Sequence, residues 1–247
     1  MPTGNMANSY FQLKQFRIEQ SDCAMKVSSD ACVFGAWGAA QLSQSQPAKK
    51  KILDIGTGTG LLSLMLAQSN QEAEIFGIEI DKQAADQAKK NVSASPWSNR
   101  IEIIQGDIKS FVPDKKFDAV VSNPPFYEGD LQSPDVQKNW AHHDSSLRFN
   151  ELISSIERTL SAEGLFLLLL PAKKMEQRLE MISEFDLHVH KKAYLHHDAK
   201  HPAIRVMILG GIKMAPVIIE ERIELFCEKG QYTEQVKTLL RDFYLAL

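Results

Sequence analysis

The feature that most constrains this chain is the run Asp54-Ile55-Gly56-Thr57-Gly58-Thr59-Gly60, set between a β-rich run, Lys51 to Ile55, and an apolar helical stretch, Leu61 to Ser69. Glycines at a strand-to-helix turn let the backbone approach a ligand closely, and the helix N-terminus that follows presents unpaired amides. The alternation continues downstream. Further strands are expected at Glu74 to Ile80, Ile101 to Gln105, Phe117 to Ser122, Leu165 to Leu170, Leu187 to Leu195 and Ile204 to Gly210. Helices with apolar residues at three- and four-residue spacing fall at Lys82 to Val92, Phe149 to Leu160 and Lys173 to Ile182. This predicts an α/β fold: a seven-stranded, mostly parallel sheet with helices on both faces. The last two strands lack a helical separator, so they pair antiparallel at the end of the sheet. Val217 to Phe226 reads as a further strand and Thr233 to Leu245 as a terminal helix.

Upstream, Phe16 to Glu19 and Met25 to Val27 read as short extended segments, and Ser28-Ser29-Asp30 as the cap of a helix from Ala31 to Gln41. Gln41 to Lys50 is the only linker-like stretch and is too short to separate domains, so 1–247 is expected to be one domain. With 44% apolar residues the chain can line a large core without disulfides. A net charge of −3 argues against a uniformly basic coat, so any polyanion site must be a local patch. The longest apolar runs, Leu61 to Ala67 and Leu165 to Leu170, are far below the roughly 18 residues of a membrane span. Neither a leader-like N-terminus nor a disulfide pattern is seen: Cys23, Cys32 and Cys227 read as buried thiols in a reducing compartment, and the cytoplasm is expected.

Glu79 ends the second strand, where dinucleotide folds hydrogen-bond a ribose; with the glycine turn it points to an adenosine-containing cofactor. Gly-x-Gly-x-Gly preceded by Asp54, rather than Gly-x-Gly-x-x-Gly, resembles the class I, Rossmann-like S-adenosylmethionine methyltransferases. The resemblance implies that Asp54 helps fix the methionine end, that Gly56, Gly58 and Gly60 make room, and that Glu79 holds the ribose. Asp107 would lie near the adenine amine and Ile108 beside the ring; alone, Asp107 reads equally as a turn residue.

Asn123-Pro124-Pro125-Phe126 follows the fourth strand at the carboxyl edge of the sheet. Methyl transfer to a conjugated amine is helped by acceptors that hold its two N–H groups out of plane. The Asn123 side-chain oxygen and the Pro124 carbonyl can be those acceptors, and Phe126 can stack on the planar group. Asn123, Pro124 and Phe126 are thus the expected catalytic residues, Asn123 also bordering the cofactor, with no metal required.

Lys26-Val27-Ser28-Ser29-Asp30 and Val33-Phe34-Gly35-Ala36-Trp37, together with Ser95-Pro96-Trp97 and Phe243-Tyr244-Leu245, resemble the bacterial tRNA adenine methyltransferases that act on a valine tRNA beside the anticodon. Ser28-Ser29 stands where that family commonly has Gly-Thr. The resemblance implies N6 methylation of adenine 37 by S-adenosylmethionine, Lys26 and Asp30 at the cofactor, residues 1–48 as an extension helping to cover it, an anticodon loop as substrate, and no obligate protein partner or membrane. The alternatives are a glutamine-N(5) methyltransferase of release factors, which shares Asn-Pro-Pro-aromatic chemistry but resembles proteins with a larger helical domain in front, an rRNA amino-group methyltransferase, and a nucleotide-binding oxidoreductase or binder.

Residues 171–214 carry eight Lys+Arg, five Asp+Glu and five of the seven histidines, a local +3. Lys191, Lys192 and Lys200 are therefore the expected RNA contacts, with Lys14, Arg17 and Lys26 as the second place. Tyr127 to Leu147 is long enough for a substrate-ordered lid. His188 and His190 share a strand face without a third ligand, His142-His143 and His196-His197 read as loop residues, Trp37, Trp97 and Trp140 as packing, and Lys49-Lys50-Lys51 as a solvated strand entrance.

Overall fold

Central strands that are apolar on both faces need cover on both sides. The computed structural model, which describes residues 9–21, 26–45, 50–125 and 147–247, supplies it. The elements are β1 (Tyr10–Gln12), β2 (Arg17–Glu19), α1 (Ser29–Ser43), β3 (Lys51–Ile55), α2 (Leu61–Ser69), β4 (Glu74–Glu79), α3 (Lys82–Ser93), β5 (Ile101–Gln105), β6 (Phe117–Ser122), α4 (Phe149–Thr159), β7 (Leu160–Pro171), α5 (Met175–Ser183), β8 (His188–His196), β9 (Ala203–Gly211), β10 (Ile219–Glu224) and α6 (Glu234–Leu240). One core packs α1, α2, α3 and α6 against the sheet through Phe34, Trp37, Leu64 and Leu240. The other packs α4 and α5 on the opposite face through Ile153, Ile156 and Ile182.

The main sheet has the order β10-β8-β9-β7-β6-β3-β4-β5, and every neighbouring pair is parallel except the two that involve β9. The antiparallel β8–β9 pair is where the sequence puts it, but it does not end the sheet. Ile219–Glu224 adds an eighth strand outside β8, in parallel register with Lys191 to His196. A hairpin of β1 and β2 forms a separate small sheet. Its end is held by Asn91 of α3, which accepts from the Glu19 amide at 3.0 Å and donates to the Glu19 carbonyl at 3.0 Å.

Some boundaries shift for local reasons. α5 begins at Met175 rather than Lys173 because Lys174 takes a left-handed conformation, φ 59°. α6 stops at Leu240, well short of Leu245, and Thr233 caps it by accepting from the Val236 amide. Ser28 occupies the N-cap of α1 without a side-chain cap bond; its hydroxyl turns to Asp30 instead. Lys50, expected to be solvated, is buried and donates to the Ser45 carbonyl at 2.7 Å. Cys32 is buried, but Cys227 is exposed in a turn where the amides of Lys229 and Gln231 draw its thiol below the usual range. Trp37 and Trp97 do pack, stacking on Phe34 and edge-on to Phe16.

Gly77 of β4 is a packing requirement hidden in the pattern. A Cβ there would lie 2.7 Å from Ile103 Cδ1 and 3.0 Å from Thr57 in the glycine turn. Gly77→Ala is expected to destabilise the protein by about 2 kcal/mol, since overfilled cores resist relaxation. Denaturant unfolding within about 0.5 kcal/mol of the parent would show that Ile103 and Thr57 give way.

Candidate active site

The order β4-β3-β6 creates a switch point at β3: the chain proceeds outward through β4 and β5, then returns to the other side of β3 as β6. Crevices at the carboxyl ends of such strands are where open α/β sheets bind ligands. Ile55 is in register with Ile78 on one side and Ser122 on the other. Glu79, Gly56 and Asn123 are therefore the next residues on three adjacent strands, with neighbouring strands about 4.8 Å apart. The buried Ser122 hydroxyl donates to the Ile55 carbonyl at 2.8 Å, tying the start of the Asn123 segment to the start of the glycine turn. Asn123 is partly buried, Pro124 buried and Pro125 exposed; Phe126 and residues 127–146 of the expected lid, with Trp140 and His142-His143, lie outside the described residues.

Gly56, Gly58 and Gly60 all have positive φ, at 69°, 55° and 84°. A Cβ on Gly56 would meet nothing within 4 Å and one on Gly58 only the Gly56 carbonyl, whereas one on Gly60 would touch Ala88 of α3. The first two glycines thus face open space that a ligand can fill, and the third seats the turn on α3. Glu79 closes the other side: Oε2 accepts from the Gly58 amide at 2.9 Å and Oε1 from the Asp81 amide at 3.0 Å.

Asp54 sits beneath this turn and is fully buried. Its Oδ2 accepts from Thr57 Oγ1 at 2.6 Å, Ser63 Oγ at 2.8 Å and the Ser63 amide at 3.2 Å. Its Oδ1 has no partner among the described residues. Burial pushes the carboxyl up to about 6 despite these bonds, with the Glu79 charge adding to the rise. Thr57, Ser63 and Ser122 hold the site together and escape a motif-based reading because hydroxyls at strand ends carry no spacing signal.

Asp107 forms a turn, accepting from the Lys109 amide at 2.9 Å, and Gly106 donates to the Glu79 carbonyl at 2.9 Å, so the β5 end lies beside Glu79. Ile108 is buried in the core beneath it. Asp30 Oδ2 accepts from Arg205 Nε at 3.0 Å across the carboxyl edge, and Lys26 is exposed just ahead of α1.

The family model described as Methyltransferase small domain matches residues 29–183. The tRNA1(Val) (adenine(37)-N6)-methyltransferase of Dyadobacter fermentans is 39% identical over 241 residues, spanning 96% of this chain and 98% of that one. The protein of the same name from Bacteroides thetaiotaomicron is 38% identical over 243 residues, spanning 98% and 100%. This chain belongs to the tRNA1(Val) (adenine(37)-N6)-methyltransferase family. Its fold is shared with the crystal structure of a predicted O-methyltransferase from Agrobacterium tumefaciens, at a TM-score of 0.61 and 18% identity over 88% of this chain and 99% of that one.

For a member of this family the expected RNA lysines need revision. Lys191 and Lys192 are only 17% and 12% exposed and pair with Glu221 and Glu220 of β10 at 3.0 and 2.6 Å. Two of the eight cations of residues 171–214 are thus paired by the acidic strand that follows, which sequence clustering alone does not reveal. Lys200 is 76% exposed, 3.4 Å from Glu228. His188 approaches Asp186 at 3.8 Å and His190 bonds the Lys213 carbonyl at 2.6 Å, so the two histidines serve different neighbours. No described helix is long and apolar enough to cross a membrane.

Proposed function

We propose that this protein methylates the exocyclic N6 of adenine 37 in tRNA1(Val), using S-adenosylmethionine. The observation that carries the reading is near full-length identity of 34–39% to relatives of that name. The juxtaposition of Gly56, Glu79 and Asn123 on neighbouring strand ends supports it. The cofactor fits the residues present: the space over Gly56 and Gly58 admits it, Glu79 offers carboxylate oxygens, and the orphaned Asp54 Oδ1 can be satisfied by an ammonium or an ordered water. Bound there, S-adenosylmethionine supplies an electrophilic methyl group.

Glu79, whose carboxylate oxygens accept from the Gly58 and Asp81 amides, would accept from the ribose hydroxyls. Asp107 would accept from the adenine amine of the cofactor and Ile108 would border its ring. Lys26 and Asp30, within the 1–48 extension that would help cover the site, would border the cofactor. The target adenine enters beyond β6, where Asn123 Oδ1 and the Pro124 carbonyl accept from its amine and Phe126 stacks on its face. Fixing the N–H groups frees the lone pair for attack; the proton leaves afterwards to solvent.

The decisive experiment is incubation with labelled S-adenosylmethionine and tRNA lacking the modification, followed by nucleoside mass spectrometry. N6-methyladenosine at position 37 is expected; its absence, or methylated glutamine in a release factor instead, overturns the reading. Glu79→Ala is expected to weaken S-adenosylhomocysteine binding by about 2 kcal/mol, roughly thirtyfold. Calorimetry giving parental affinity in a folded variant would remove Glu79 from the cofactor site.

A further inference from the structure

The carboxyl edge carries a row of rings that the methyl-transfer site does not use. His201 and His197, in the β8–β9 turn, lie edge to face with centroids 5.7 Å apart. His197 tilts onto Phe226 at 5.0 Å, and Phe226 stacks on Tyr232 at 5.1 Å and 18°. Backbone bonds fix the row: Phe226 donates to the His197 carbonyl at 2.9 Å, and Phe226 and Tyr232 form an antiparallel bridge. Tyr232 is linked in turn to Ser29 at the start of α1 by a 3.1 Å hydroxyl contact.

Phe226 and Tyr232 pack against the core and back the row, whereas the side chains of His197 and His201 remain 56% and 62% exposed. Nor are the rings loose. Asp198 accepts from His197 Nδ1 at 3.2 Å and from His201 Nδ1 at 2.7 Å, and also from the Lys200 amide. Rings held in place before a ligand arrives lose little entropy on binding it. Cations flank them: Arg205 near the start of β9 is held by Asp30, and Lys200 has an exposed pairing with Glu228 that is weak enough to exchange for a phosphate.

The β8–β9 turn lies three strands from β6 at the same edge, a lateral distance of about 14 Å from the Asn123 segment. We propose that the exposed His201 and His197 rings, backed by Phe226 and Tyr232, are a stacking platform for unpaired bases of the substrate's anticodon loop flanking the target adenine, with Lys200 on their phosphates. The inference rests on the tRNA reading above. Single-stranded RNA is the occupant that fits: its splayed bases stack on aromatic and imidazole faces, and its phosphates answer the cations. A duplex stem offers no free base to such a row.

The test uses the full chain, with a tRNA1(Val) transcript and its anticodon stem-loop as probes. EDTA is present so that His197, Asp198 and His201, whose ligand-type atoms lie within 4.8 Å of one another, carry no ion. His197→Ala/His201→Ala is expected to raise Kd and KM for both RNAs by about tenfold, with kcat and S-adenosylhomocysteine affinity within about twofold. The slope of log Kd against log salt should not change, because stacking releases no counterions. His197→Phe/His201→Phe should restore affinity; His201→Ala alone repeats the test if the double variant melts early. Kd within about twofold of the parent, or failure of the Phe variant to restore it, overturns the platform. Failure of the parent itself to bind or methylate tRNA overturns the proposed function instead.

Discussion

Asn123→Ala is expected to lower turnover about 10²- to 10³-fold while leaving S-adenosylhomocysteine affinity within about twofold. The lone pair of an adenine amine is delocalised into the ring, so attack on a methyl group requires the N–H bonds to leave the plane. An acceptor aimed at that geometry acts mainly in the transition state and is worth about 3 to 4 kcal/mol of barrier. Asn123 is suited to the task because its backbone is not free to drift. Ser122 is bonded to Ile55, Pro124 is buried, and the strand beneath is paired on both sides. Single-turnover rates at saturating tRNA are the measurement; a rate near the parent's would mean that the amine is positioned by other groups.

The parts of the fold legible in the sequence are those where a local pattern and a tertiary role coincide. β3, β5 and β6 have the boundaries their apolar runs predict, and the chemistry at their ends follows from Gly56, Asn123 and their neighbours. Ile219–Glu224 falls inside the strand expected at Val217 to Phe226, but its place in the sheet is less legible, because it carries four charged residues and its parallel register with β8 sets Glu221 and Glu220 against Lys191 and Lys192. The same register explains why Lys191 and Lys192 add little to a basic surface. β7 begins at Leu160, directly after α4 and five residues ahead of the expected apolar run, and its pairing with β6 shifts register across Ser161-Ala162-Glu163-Gly164, between Phe117–Leu160 and Ala119–Leu165. Lys174 breaks the expected start of α5 by adopting a conformation that lysine rarely takes, a feature invisible to composition. At the site, glycines and carboxylates advertise themselves, whereas the hydroxyls of Thr57, Ser63 and Ser122 become functional only through the atoms they reach.

Asp54 should reveal itself through opposite pH trends in stability and binding. Its carboxyl is raised to about 6 in the folded protein, chiefly by burial, against about 3.9 in the unfolded chain. Between about pH 4 and 6 the folded state therefore holds a proton that the unfolded state has lost, and stability falls as pH rises through that window. Above about pH 6 the protein is about 3 kcal/mol less stable than it would be with an uncharged group of the same shape. Asp54→Asn is such a group: its oxygen can keep the bonds from Thr57 and Ser63, and its amide replaces the orphaned Oδ1. Urea unfolding should find this part of the pH dependence gone and the variant more stable than the parent at pH 7.5. Cofactor affinity should move the other way. In the parent it should rise as Asp54 ionises, because the buried negative charge attracts the methionyl ammonium, and in Asp54→Asn it should be lower at pH 7.5 and lack that rise. If Asp54→Asn is less stable than the parent at pH 7.5 and binds S-adenosylhomocysteine equally well, the buried carboxylate is a structural brace for the glycine turn and contributes no charge to the cofactor.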